Sequence, residues 1–227
     1  MKKIRLSFLF WFVCLFSYVH ADSQVDGLKQ HVYNVIPSLE GWCSKEKAGH
    51  FIDLVFEVKP KVCVEIGVFG GSSLFPVASA LKYLGEGIIY GIDPWDKLEC
   101  IKYYDPIENA ADLQWWAKIN LLYIYYSYLN MLRKHGLEEY CKTIKMTSEK
   151  AASQIDAIDI LYIDGNHSEE CSEQDVTLYL PKVRDGGYIW MNDTLWPTRQ
   201  RAVKQLSEAC DVVKMIDNGN CILFKKR

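Results

Sequence analysis

The sequence has no fixed-period repeat, no low-complexity tract and no basic run longer than the three residues Lys225-Lys226-Arg227. The first two absences exclude solenoids, arrays and disordered tracts. The third, with a net charge of −3 at pH 7, speaks against nucleic acid as a partner and against a polybasic hold on anionic lipid. There is no Cys-x-x-Cys pair and no Cys/His cluster, the spacings that structural zinc sites use. What is present is a 227-residue chain, 49% hydrophobic and 24% charged, with room for one α/β domain and a sizeable core.

Lys2, Lys3 and Arg5 precede an apolar stretch, Leu6 to Val19, and Val19-His20-Ala21 offers compact residues for a cleavage site. The 14 residues of that stretch are short for a membrane span of about 20. Residues 1–21 are therefore expected to be a signal peptide, cleaved before Asp22, leaving no stable membrane span and residues 22–227 as the domain. The expected destination is secreted or periplasmic; membrane-anchored or cytoplasmic is the alternative. Cleavage leaves 23 basic against 29 acidic side chains, a net charge of −6. It also leaves seven cysteines, an odd number without framework spacing, which does not suit a disulfide-stapled exported domain.

Along the mature chain, Asp22 to Leu39 is a weakly patterned lead-in. Ser44 is placed to cap a helix carrying Ala48, Phe51, Ile52, Val55 and Val58, which Pro60 closes. Val62 to Ile66 reads as a strand buried on both faces, and Ser72 and Ser73 as caps of a helix ending at Gly85. Further strands are expected at Ile88 to Ile92, Lys142 to Met146, Ile158 to Ile163 and Tyr188 to Met191. Helices are expected at Ser148 to Ile155, Ser168 to Leu180 and Thr198 to Ala209. Asp105 to Gly136 reads as one long, aromatic-rich helical insertion, and Val212 to Ile216 with Cys221 to Phe224 as a hairpin. Alternating strands and helices imply α/β architecture: a doubly wound, Rossmann-like sheet with a C-terminal antiparallel hairpin.

The sharpest motif is Glu65-Ile66-Gly67-Val68-Phe69-Gly70-Gly71-Ser72-Ser73, where glycines turn a buried strand into a helix. Backbone N–H groups there can meet a ligand closely. Phe69 stands where the dinucleotide pattern needs its second glycine, which disfavours a nicotinamide-dependent oxidoreductase. Asp93 ends the second strand, Asp164 the fourth, and Asn192-Asp193 the fifth, so their side chains are expected to share one crevice. An acid at Asp93 can accept hydrogen bonds from ribose hydroxyls. Each acid alone is more often a turn former or cap.

In order, Gly41-Trp42-Cys43-Ser44, Glu46-Lys47-Ala48, the Glu65 to Ser73 loop, Gly91 to Trp95, Trp115-Trp116, Ile163 to Ser168, Gly186-Gly187 and Asn192-Asp193-Thr194 carry a resemblance. The chain resembles class I S-adenosylmethionine-dependent methyltransferases of the type called methyltransferase family 24, and more distantly the catechol- and macrocin-type O-methyltransferases. The resemblance covers roughly residues 39 to 225. It implies S-adenosyl-L-methionine as cofactor, with Glu65, Gly67, Gly71 and Ser72 toward its methionine part and Asp93 toward its ribose. It places Trp95 and Thr147 or Ser148 beside the adenine, and Asp164 and His167 toward the transferred methyl group. In metal-dependent relatives a Mg²⁺ ion lies at positions matching Asp164, Asn192 and Asp193. Here Asn166 and Asn192 reduce the carboxylate count that such a hard cation wants.

The expected reaction is O-methylation of a small-molecule or glycan hydroxyl, governed by positioning and by removal of the acceptor's proton. His167, Asp164 and Asp193 are the candidate catalytic residues, His167 first because its ordinary pKa lies near neutrality. The rings of the 105–136 segment can cover an acceptor or pack a dimer contact, so a homodimer is a candidate assembly. A non-catalytic exported module that keeps the fold is the alternative function.

Overall fold

The computed structural model of the protein describes residues 25–227. The expected signal peptide lies outside them. The lead-in is more regular than its pattern suggests: residues 25–35 form helix α1. Val25, Leu28, Val32 and Val35 recur at helical spacing and pack on the core, Val32 completely buried. Helix α2 (Lys45–Val58) starts as expected, with Ser44 Oγ accepting from the Lys47 N–H at 3.1 Å. It stops at Lys59, which turns left-handed ahead of Pro60.

Strand β1 (Val62–Ile66), helix α3 (Leu74–Leu84) and strand β2 (Ile88–Ile92) follow. Neither serine caps α3. Ser73 Oγ instead donates to Glu65 Oε1 at 2.5 Å, so that hydroxyl is spent on the buried acid.

The long helix expected over 105–136 is two helices. After α4 (Lys97–Cys100), Asp105 turns the chain by accepting from the Ile107 and Glu108 N–H groups. Helix α5 (Ala110–Lys118) then ends where Asn120 caps α6 (Leu121–His135), its Oδ1 accepting from the Tyr123 N–H at 3.1 Å. A capping Asn competes with helix continuation, a local effect that aromatic periodicity hides.

The remaining elements are β3 (Cys141–Ile144), α7 (Ser148–Ala151), β4 (Ile158–Ile163), α8 (Glu169–Tyr179), β5 (Val183–Asn192), α9 (Gln200–Ala209), β6 (Cys210–Ile216) and β7 (Cys221–Lys226). The sheet order is β3-β2-β1-β4-β5-β7-β6. The first five strands run parallel and the β6–β7 hairpin joins β5 antiparallel, as expected. One face packs under α1, α2, α3 and α6, with Phe51 set against Tyr162 and Trp190 at ring separations of 5.0 and 5.3 Å. The other face packs under α7, α8 and α9. Among the described residues no helix is long and apolar enough to cross a membrane.

The chain reverses direction across the sheet between β1 and β4, which lead outward to β2 and β5. A crevice forms there beyond the strand ends.

Candidate active site

A cavity of about 910 Å³ opens at those carboxyl ends, large enough for a cofactor and a second ligand. Its floor begins at Gly67, whose φ of +86° suits glycine. A Cβ on Gly67 would land on the carbonyl oxygen of Asp164, so the β1 loop and the end of β4 touch through backbone. Gly67, Ser72, Asp93, Ser148, Asp164, His167 and Asp193 all line the cavity.

Phe69 also lines it, at a φ of +49°. The loop keeps the left-handed turn of a glycine although the residue is not one, a strain of about 1–2 kcal/mol. Two bonds hold it: the Phe69 N–H donates to Asp93 Oδ2 at 2.9 Å, and Trp95 Nε1 donates to the Phe69 carbonyl at 2.8 Å. The Phe69 ring lies against Trp42, Trp115 and Trp116 at 5.3, 6.2 and 6.3 Å, forming an aromatic wall at the cavity mouth.

Asp93 is more committed than its strand-end position suggests. Its Oδ2 accepts from the Val68 and Phe69 N–H groups and its Oδ1 from Trp95 N–H. Burial raises its pKa, against the pull of those N–H groups. One acceptor position on Oδ1 remains for a ligand. Trp95, expected beside the adenine, is instead buried with its ring stacked on Tyr128 at 5.3 Å, and braces the loop from behind. Glu65 and Gly71 likewise stand behind the lining. Glu65 Oε2 is buried without a hydrogen-bond partner among the described residues, and burial pushes its pKa up to about 8.

The catalytic candidates converge. One ligand atom each of Asp164, His167 and Asp193 lies within 4.8 Å of the others. His167 Nε2 sits 2.8 Å from Asp193 Oδ2, and Asn220 Nδ2 donates to Asp193 Oδ1 at 3.0 Å. Burial opposes ionisation of Asp193, but the His167 hydrogen bond prevails and holds its pKa down at about 2. Burial, then the Arg199 charge, lower the pKa of His167 below its ordinary value. Asp164 Oδ2 accepts from Asn192 Nδ2 at 3.0 Å, and no described residue donates to Oδ1. Burial first, then the charge of Asp193, push the Asp164 pKa up to about 7.

A Mg²⁺ ion fits this arrangement poorly. Asn192 turns its amide nitrogen, a donor, toward Asp164, and both oxygens of Asp193 are already engaged, by His167 and by Asn220. Two carboxylates and an imidazole are not the oxygen-rich set Mg²⁺ prefers. Asn166 explains its own departure from the acidic pattern. Its Nδ2 faces the carbonyls of Glu99, Cys100 and Lys102 at 2.8, 3.1 and 3.2 Å, a donor role that no carboxylate can fill.

Three side chains at the site carry no role in the sequence reading, although Lys47 stands in one of the motifs of the resemblance. Arg199, fully buried, donates to Ser172 Oγ and to the Gly165 carbonyl beneath the acids. It lies in a short turn after Pro197, just ahead of α9, where the pattern predicts the first turn of that helix. Lys47 lines the cavity from the first turn of α2, 3.3 Å from Asp217. Asp175, inside α8, lines it beside Ser148.

A model of the methyltransferase domain family matches residues 64–194. Among solved structures, the O-methyltransferase NovP superposes with a TM-score of 0.63 at 17% identity, covering 80% of this chain and 78% of that one. The O-methyltransferase TomG from Streptomyces achromogenes, involved in tomaymycin synthesis and solved with S-adenosylmethionine, gives 0.59 at 14% identity, covering 87% of each chain. The Podospora anserina methyltransferase PaMTH1, solved with S-adenosylhomocysteine, gives 0.60 at 11%, covering 100% of this chain and 98% of that one. Likeness at these identities is likeness of fold. No curated protein matches the chain.

Proposed function

The chain belongs to this family of methyltransferase domains, as an S-adenosylmethionine-dependent enzyme of class I fold, and we propose that it methylates a small-molecule or glycan hydroxyl using Asp164 as proton acceptor. The observation that carries the proposal is the free Oδ1 of Asp164, on an acid held near pKa 7, in the cavity that the Gly67 loop also lines.

The residues present fit the cofactor. Gly67 lines the cavity with the loop that Asp93 holds, and Ser72, Ser148 and the remaining Oδ1 position of Asp93 offer polar contacts along it. The cofactor supplies a methyl group on a sulfonium, open to in-line attack by the acceptor oxygen. This chain orients the acceptor, excludes water and takes the proton. Asn192 fixes the Asp164 carboxyl through Oδ2, leaving Oδ1 to accept the hydroxyl proton. A group with pKa near the working pH serves this transfer best. Asp193 stays ionised and keeps that pKa raised. His167, with Nε2 committed to Asp193, positions that charge and stands ready only after rearrangement.

The test is release of S-adenosylhomocysteine from S-adenosylmethionine across a panel of phenolic and sugar hydroxyls. With a working acceptor, Asp164→Asn is expected to lower kcat by roughly 10²–10⁴ while S-adenosylhomocysteine still binds. His167→Ala is expected to lower it less, and a chelator hardly at all. A larger loss for His167→Ala would move the proton to the imidazole; abolition by chelation would reinstate a cation.

A further inference from the structure

The sheet ends in two unlike edges. β3 is four residues long and carries the exposed Lys142, and a short, charged edge resists pairing. β6 is seven residues long, and among the described residues no strand pairs with its outer side. Its five central residues are all exposed, among them Val212, Val213 and Met215 at 48%, 50% and 59%. An apolar edge of this kind is a template for another strand. Lys214 is the only basic residue in it, and its ammonium lies 3.4 Å from His50 Nδ1 of α2. Val213 has no partner on β7, because the register slips between Val212 and Lys214. That bulge brings Asp211 and Lys214 to the same face of the sheet, opposite Lys225 and Leu223.

We propose that β6 pairs antiparallel with β6 of a second copy of this chain, about a two-fold axis that passes between Val212 and Val213. In that register the strand is its own complement, as a two-fold interface requires. Asp211 falls opposite Lys214 of the second copy, and Lys214 opposite its Asp211. Val212 and Val213 face each other across the axis, and Cys210 faces Met215. Opposite charges and β-branched pairs directly across an antiparallel ladder stabilise it. Two residues separate Asp211 from Lys214 on both strands, so the two bulges meet at the axis with no residue left over. Moving the axis onto Val212 or Val213 sets Lys214 against Cys210 or Val212 and loses both charge pairs. The 105–136 segment, the other candidate contact, lines the cavity with Trp115 and Trp116. β6 runs directly into the turn that carries Asp217 and Asn220, and Asn220 holds Asp193 Oδ1. A second copy along β6 therefore braces the turn behind the cavity acids.

The experiment is sedimentation velocity of the purified full chain over a dilution series. The wild type is expected to be dimeric at about 100 µM and to dissociate on dilution, as a small interface does. Asp211→Lys sets like charges against each other at both contacts, and so does Lys214→Asp. Each variant alone is expected to associate more weakly by about tenfold or more. Both positions are exposed, so neither change disturbs the core. An equimolar mixture of the two variants restores opposite charges at both contacts and is expected to assemble as tightly as the wild type. A wild type that stays monomeric throughout would overturn the proposal and leave the edge to a different protein. A dimer that persists in both variants would overturn it too, because it would use another face. So would a mixture that fails to assemble, because Asp211 and Lys214 would then not stand opposite each other.

Discussion

Asp93 shows how one side chain serves two levels of organisation. By accepting from the Val68, Phe69 and Trp95 N–H groups it fixes the loop that lines the cavity, and one acceptor position is left open to a ligand. Asp93→Ala is therefore expected to weaken S-adenosylhomocysteine binding by tenfold or more and also to lower thermal stability. Each orphaned donor costs about 1–3 kcal/mol. Affinity unchanged within twofold would remove Asp93 from the ribose site. At this scale the sequence shows which residue ends each strand, because β-branched runs and glycines mark the ends plainly. It does not show which oxygen of an acid is already spent, since that depends on backbone groups from another loop. The same gap separates Asp164 from His167. Ordinary pKa values favour the histidine as base, whereas burial and partners raise the acid to about 7 and commit the imidazole.

The helices and strands follow the hydrophobic pattern closely where a long apolar period runs, in β1, β2, β4 and α2. They depart from it where single polar side chains cut the chain. Asn120 divides the expected insertion, and Asn166 gathers residues 99–102 onto the end of β4. Sequence can flag both as asparagines but not their targets, one local and one more than sixty residues away. The Asn166 clamp sets the position of α4 and, through Lys97 Nζ donating to the Ala117 carbonyl at 2.9 Å, of α5 with Trp115 and Trp116. Asn166→Asp removes the donors and sets a carboxylate against three carbonyls. Protease cleavage within 97–118 is expected to accelerate at least severalfold, with KM for the acceptor rising more than kcat falls. Cleavage at the wild-type rate would show that the clamp does not hold this cover in place.

At the scale of the whole molecule, the fold keeps acids at the cavity wall and behind it away from water. Glu65, Asp164 and Asp175 have pKa values pushed up to about 8, 7 and 6, burial being the largest cause for each. An acid with a folded-state pKa above its unfolded value binds its proton more tightly when folded. Its contribution to stability is complete below the unfolded pKa, near 4, and is lost as pH rises through the folded value. Asp193 works in the opposite sense, its pKa held down at about 2, but that stability is lost only well below pH 4. Between about pH 5 and 6.5 these acids are opposed by His50, His135 and His167, whose pKa values burial lowers, because the unfolded chain then binds more imidazole protons than the folded one. Above about pH 6.5, where unfolded imidazoles are deprotonated, the raised acids set the slope, and the ligand-free chain is expected to melt at progressively lower temperature as pH increases. Asp175→Asn should flatten the part of the curve near pH 6, because the amide has no proton to lose. Asp164→Asn should flatten the part near pH 7. Differential scanning calorimetry from pH 5 to 8.5 measures both. A melting temperature that climbs with pH above about 6.5, beyond the range of the unfolded imidazoles, would mean these acids are ionised and satisfied in the folded chain, and Asp164 would then lose the matched pKa that its role as proton acceptor requires.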